Sequence, residues 1–156
     1  MTIPTAAPVG HGTDAVTHEL ARLLADTYTL YVKTQGYHWN VIGPDFRSLH
    51  LMFEEQYAEL ALALDVIAER MRALGAFAPG SLRAFGRLSS VEDEDAAPEA
   101  TDMVLRLIVG HEAVVRTAKA VLRSAEAGGD ATTADLAIER IAIHEKTLWM
   151  LRATTA

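Results

Sequence analysis

Five side chains between positions 38 and 69 carry the donor atoms of a metal site: His38, His50, Glu54, Asp65 and Glu69. Imidazole and carboxylate without thiolate suit Fe(II), Zn(II) or Mn(II), and carboxylate-rich sets with open positions suit redox work on iron. The chain has no cysteine, which removes disulfides, thiolate metal sites and thiol nucleophiles together. Taken singly, each of the five has an ordinary explanation. Acids on the outer face of a long helix are usually solvated, and a lone histidine near a turn is usually a hydrogen-bonding residue. The case for a site rests on the set.

Placed on a helical wheel, His50, Glu54, Ala58, Ala61, Asp65 and Glu69 fall within a sector of roughly 100°. One helix cannot gather them around one ion. The rise from His50 to Asp65 is about 22 Å at ~1.5 Å per residue, against a metal–ligand bond of roughly 2 Å. Two antiparallel copies can. The pairs His50/Glu69, Glu54/Asp65 and Ala58/Ala61 share one midpoint, so a two-fold crossing at the alanines brings the ends together and makes the site twice. The small alanines let the helices approach. His38, across a short turn, can point at the same place. The expected set is His38, His50 and Glu54 from one subunit with Asp65 and Glu69 of the partner subunit.

The elements that must position these groups are helices. Val16, Leu20, Leu23, Leu24, Tyr28 and Tyr31 recur at steps of three and four and predict a helix from Asp14 to about His38, capped by Thr13. Gly43-Pro44 marks a turn and Asp45 the next cap. A second helix follows, with Leu49, Phe53, Gln56, Leu60, Leu64, Ile67, Met71 and Leu74 facing a core. Gly75 ends it. Residues 81–97 read as a connection with a short helix at Ser81 to Gly86, its acidic run Glu92 to Asp95 being solvated surface. Pro98 opens a third helix, buried through Met103, Leu107, His111 or Glu112, Val114, Val115, Ala118 and Leu122, and Gly128-Gly129 closes it. A fourth starts near Thr133 with Leu136, Ile138, Ile141, Ile143, Leu148 and Leu151. No strand-like alternation occurs. The expected fold is an all-α four-helix bundle whose long connection between helices two and three crosses the bundle, the ferritin-like arrangement, although helix count and loop length alone also admit another bundle.

With 156 residues, half of them apolar, the chain suits one domain, expected at residues 13–152 behind a flexible tail at 1–12. Its net charge of −7 repels polyanions, no basic patch stands out, and no Lys or Arg precedes Arg22, so little direct DNA binding is expected. No stretch suits a signal peptide or a membrane span, which points to a soluble, cytoplasmic protein.

At the metal-site stretch the sequence resembles the Dps family, the miniferritins named as DNA-binding proteins from starved cells. The shared words are HWNV at His38 to Val41, G-x-x-F at Gly43 to Phe46, LHLMFEEQY at Leu49 to Tyr57 and D-x-x-AER at Asp65 to Arg70. LGAFAPGS at Leu74 to Ser81, LSS at Leu88 to Ser90 and HEKTLWML at His144 to Leu151 extend the likeness over most of the chain. The resemblance implies a hollow homo-oligomer of twelve subunits with ferroxidase sites across its two-fold interfaces. Fe(II) would be oxidised there, characteristically by hydrogen peroxide, and stored as ferric mineral. Zinc in place of iron, as a staple in a structural oligomer, and DNA condensation are the competing functions. Glu54 stands where many relatives carry Asp. Ordinary ferritins use Glu-x-x-His pairs within one subunit, which this chain lacks. The resemblance makes Trp39 either an electron donor near the iron or an indole packed at the dimer contact, and likens Asp130, Asp135 and Glu139 to the acidic lining of three-fold pores. Acids at a helix start also serve the helix itself. His11, His18, His111 and His144 receive no metal role, the last two being expected to hydrogen-bond within or between helices. Trp149 and Met150 read as core or subunit contact.

Overall fold

A computed structural model describes residues 11–156. Its elements, in chain order, are α1 (His11–Asn40), α2 (Phe46–Ala73), α3 (Leu82–Leu88), α4 (Ala100–Ala127) and α5 (Ala131–Ala153). The four long predicted helices form two helical hairpins, α1 with α2 and α4 with α5. They pack across the α1–α4 contact into a four-helix bundle. The connection between α2 and α4 crosses the bundle and carries α3. The expected tail lies outside the described residues except for His11 and Gly12, which begin α1. Thr13 is therefore inside the helix rather than its cap.

The turns follow local chemistry. Gly43 takes φ 119° between α1 and α2, and Gly129 takes φ 68° between α4 and α5, backbone that side chains with a Cβ rarely adopt. Asp45 sits at the N-cap of α2, but its carboxylate makes no capping hydrogen bond. Ser81 does cap α3, accepting from the Ala84 N–H at 3.2 Å. α4 starts at Ala100, two residues after Pro98, with Glu99 as N-cap.

Leu20, Leu23, Leu30, Phe53, Leu60, Ile67, Met103, Leu107, Val114 and Leu151 fill the core. Gly110 of α4 packs directly against α1: a Cβ there would stand 2.7 Å from Leu30 Cδ1. The buried face of α5 departs from the sequence reading. Ile138 is exposed and Leu136, Ile141 and Ile143 are only partly covered, while Thr133, Ala137, Arg140, His144, Leu148 and Leu151 face inward. This stripe also keeps helical spacing, but its middle is polar, so hydrophobicity points to the wrong neighbouring stripe.

Buried polar hubs fasten the crossing connection. Asp26, 1% exposed in the middle of α1, accepts from the Ser89 and Ser90 hydroxyls, the Ser90 N–H and the Thr117 hydroxyl of α4. The Leu88-Ser89-Ser90 words are thus the clasp of the connection onto α1. Glu94 corrects the expectation of a solvated acidic run. It accepts from the Tyr37 hydroxyl and from Arg106, with Lys33 at 3.6 Å. Burial pushes its carboxyl up, but the Tyr37 and Arg106 hydrogen bonds and the Lys33 and Arg106 charges outweigh this and hold it below its ordinary value. Burial and the same carboxylate raise the Tyr37 phenol.

Candidate metal centre

The two histidines of the proposed site meet across the α1–α2 turn. His38 lies in the last turn of α1 and His50 in the second turn of α2. Their rings stack with centroids 3.8 Å apart and planes 15° from parallel. Each ring binds the other residue's backbone: His38 Nδ1 lies 2.8 Å from the His50 carbonyl oxygen, and His50 Nδ1 lies 2.7 Å from that of His38. A carbonyl can only accept, so each Nδ1 carries a hydrogen, and in the neutral rings each Nε2 keeps its lone pair. This is the tautomer a metal ligand needs, fixed from behind by a hydrogen bond. Phe46 stacks on His50 at 5.0 Å and Tyr57 meets the His38 ring edgewise at 5.1 Å, so both imidazoles are held in place. His38 is buried and His50 half-buried.

Glu54 stands one turn beyond His50 on α2, exposed, while Asp65 and Glu69 are exposed toward the other end of the same helix. Among the described residues of one chain, no three His, Asp or Glu side chains come together as ligands for an ion. The structure thus joins His38 to His50 and leaves the acids apart. Apolar side chains are exposed on the same helices: Leu62 is 74% exposed, Val66 51% and Trp39 66%.

The three acids read as pore residues part company. Asp130 is the N-cap of α5, accepting from the Thr133 N–H at 3.0 Å, and it pairs with Arg70 of α2 at 2.8 Å. Burial works against its charge, yet the Thr133 and Arg70 hydrogen bonds and the Arg70 charge hold its carboxyl below the ordinary range. Asp135 and Glu139 are exposed. His18 is exposed, and the side chain of His11 lies outside the described residues. His111 and His144 bond to each other as expected, Nδ1 to Nδ1 at 2.8 Å. Trp149 is exposed rather than in the core of the subunit, and Met150 is partly covered.

The fold and the pair of tautomer-locked histidines can be set beside known proteins. The ferritin-like domain model matches residues 17–156. DNA protection during starvation protein 2 of Bacillus anthracis is 34% identical, over 86% of this chain and 92% of its own. The chain belongs to the Dps family. Its likeness to the family is carried equally by backbone: the Vibrio cholerae DPS protein, described as a member of a broad superfamily of ferritin-like diiron-carboxylate proteins, superposes with a TM-score of 0.92 at 28% identity, covering 98% of this chain and all of that one. An uncharacterized low temperature-induced protein of Nostoc sp. is 43% identical over 83% of this chain and 74% of its own. As a Dps-family miniferritin the chain has an all-α ferritin-like bundle with one short extra helix in its long connection. Among the described residues no helix is long and apolar enough to cross a membrane.

The sequence reading turned Gln56 inward, as it is, but missed the buried Arg140, which pairs with Glu59 and touches His144. The signal was present in the spacing of Thr133, Ala137, Arg140 and His144, but only a search for inward polar residues would have followed it.

Proposed function

We propose that this miniferritin is a ferroxidase whose catalytic unit is a two-fold pair of subunits. Fe(II) is the substrate, held by His38, His50 and Glu54 of one subunit with Asp65 and Glu69 of the partner subunit. The observation that carries the reading is the reciprocal Nδ1–H to carbonyl bonding of His38 and His50, which leaves two neighbouring Nε2 lone pairs. Anionic carboxylates added to these imidazoles stabilise Fe(III) more than Fe(II) and so ease electron loss. With hydrogen peroxide as oxidant, two Fe(II) each give up one electron, the O–O bond breaks, and two protons complete two waters. The midpoint shared by His50/Glu69 and Glu54/Asp65, together with the exposed apolar side chains of Leu62 and Val66, supports the two-fold pairing.

In this reading twelve subunits enclose the ferric product in a cytoplasmic shell. Protection against oxidative damage comes from removal of iron and peroxide rather than from DNA contact, which the net charge of −7 opposes. Trp39 packs at the dimer contact and supplies an electron when a site holds a single iron. Asp135 and Glu139, exposed near the start of α5, draw Fe(II) toward a three-fold pore, while Asp130 is taken up by Thr133 and Arg70. Anaerobic Fe(II) mixed with peroxide is expected to give a soluble ferric species on an assembly of about twelve subunits by native mass. His50→Ala should slow the oxidation at least about tenfold; unchanged oxidation in that variant overturns the site assignment.

A further inference from the structure

A line of aromatic rings leaves the paired histidines along the seam between α1 and α2. Tyr57 of α2 meets the His38 ring edgewise at 5.1 Å between centroids. Tyr31 of α1 lies 6.1 Å beyond it, again edge-on. Tyr28, one turn earlier on α1, follows at 5.9 Å and stacks on Phe85 of α3 at 4.5 Å. Each separation is that of rings in direct contact, roughly 4.5–7 Å. Three of the chain's four tyrosines therefore stand in one line, which starts at a candidate iron ligand and ends at the crossing connection. The fourth, Tyr37, lies off it, its ring toward Phe53 and its hydroxyl given to Glu94. Among the described residues Trp39 makes no ring contact with the line.

The hydroxyls tell a conducting line from a merely packed one. Those of Tyr28, Tyr31 and Tyr57 make no hydrogen bond to any described group. All three residues are half-buried, and their oxygens reach the surface of the subunit. Phenylalanine would pack as well at each place, since the fold makes no use of these hydroxyls. What they add is redox chemistry. A phenol gives up an electron together with its proton far more readily than a phenyl ring gives up an electron, and here the proton has water to go to. Phe85, a phenyl ring, carries the line no further.

We propose that Tyr57, Tyr31 and Tyr28 form a relay that draws an oxidising equivalent away from the histidines when peroxide meets a single Fe(II) at the site, and that the equivalent comes to rest on Tyr28. This rests on the ferroxidase reading above and sets a second donor path beside Trp39. Peroxide takes two electrons to become two waters. The single Fe(II) gives one and becomes Fe(III). Tyr57 gives the other with its phenolic proton, and one proton from solvent completes the second water as the O–O bond breaks. Tyr31 then passes an electron to Tyr57, which regains a proton from water, and Tyr28 does the same for Tyr31. The next Fe(II) to reach the site sends its electron back along the line and restores the Tyr28 phenol, water supplying the proton. Two Fe(II) are consumed per peroxide, as at a filled site, and no hydroxyl radical is set free beside His38 and His50.

Radical trapping followed by peptide mapping tests the relay. The assembled protein, loaded anaerobically with fewer Fe(II) than sites, is mixed with peroxide and a nitroso spin trap. Ferric absorbance is followed in the same mixture, and the protein is then digested for mass spectrometry. In the unaltered protein a trap adduct is expected on Tyr28. Samples frozen without the trap should show an organic-radical EPR signal that narrows when the protein is grown on ring-deuterated tyrosine. Tyr57→Phe should lose the Tyr28 adduct. Tyr31→Phe should lose it too while keeping an adduct on Tyr57. Both variants retain the ring and remove a hydroxyl that the fold does not use, so their thermal midpoints should stay in place. Ferric product without a Tyr28 adduct, or a Tyr28 adduct that survives in Tyr57→Phe, overturns the relay and leaves the ferroxidase reading standing. No ferric product in the unaltered protein overturns both.

Discussion

If the site is shared between subunits, two crippled chains should repair each other. Consider a His50→Ala chain and an Asp65→Ala chain, each lacking one ligand in every site of its own homo-oligomer. Along α2 the two positions are about 22 Å apart at ~1.5 Å per residue, so in the shared reading they serve different sites. Co-express equal amounts under separate tags and purify assemblies carrying both. A site is intact when the Asp65→Ala chain supplies His50 and the His50→Ala chain supplies Asp65. Each condition holds half the time, so about one quarter of the sites regain all five ligands. The initial rate of ferric absorbance after peroxide is added to anaerobic Fe(II) should therefore reach about one quarter of the unaltered protein's rate, against at least about a tenfold loss in either parent. A site within one chain gives no recovery, because every chain carries a lesion. A mixed assembly no faster than the mean of its parents would refute the two-fold argument while leaving the helix assignments untouched.

Two further outcomes concern the subunit itself. Burial holds His111 and His144 neutral in the folded state, so below an ordinary imidazole pKa of about 6.5 the unfolded chain binds protons that the folded chain does not. Stability is complete above that pH and falls from there toward about 3, where His111 itself titrates, with a slope of up to about 1.4 kcal/mol per pH unit for each imidazole. Denaturant midpoints measured from pH 7 to 4.5 should fall accordingly and flatten in His144→Gln; a level profile in the unaltered protein contradicts the burial argument. Asp26→Ala strands the Ser90 N–H and the hydroxyls of Ser89, Ser90 and Thr117. It should cost about 3–5 kcal/mol in chemical denaturation, and a loss under about 1 kcal/mol would mean the connection is held by other contacts.

Four of the five helices were legible because long apolar periodicity is a local property. α2 shows it best: Leu49, Phe53, Gln56, Leu60, Ile67 and Met71 were read as inward and are buried. The short α3, expected at Ser81 to Gly86, runs from Leu82 to Leu88 with Ser81 as its cap. The candidate ligands were legible only as donor types at helical spacing; in the subunit His38 and His50 meet, while Glu54, Asp65 and Glu69 stand apart. The tautomers of His38 and His50 were not legible, since they depend on carbonyls brought across a turn.

What the sequence determined by itself was the helices, the turns at Gly43 and Gly129, the family, and the common midpoint of the ligand pairs. What only the tertiary structure decided was which polar groups go inside. Asp26 meets Thr117 from 91 positions away, Arg140 meets Glu59 from 81, and Tyr37 meets Glu94 from 57. A buried charge is tolerated only where its partners arrive. Nothing in the neighbouring residues announces that arrival. Hydrophobic spacing therefore led to Ile138 on α5, and the packed bundle chose Arg140 and His144 instead.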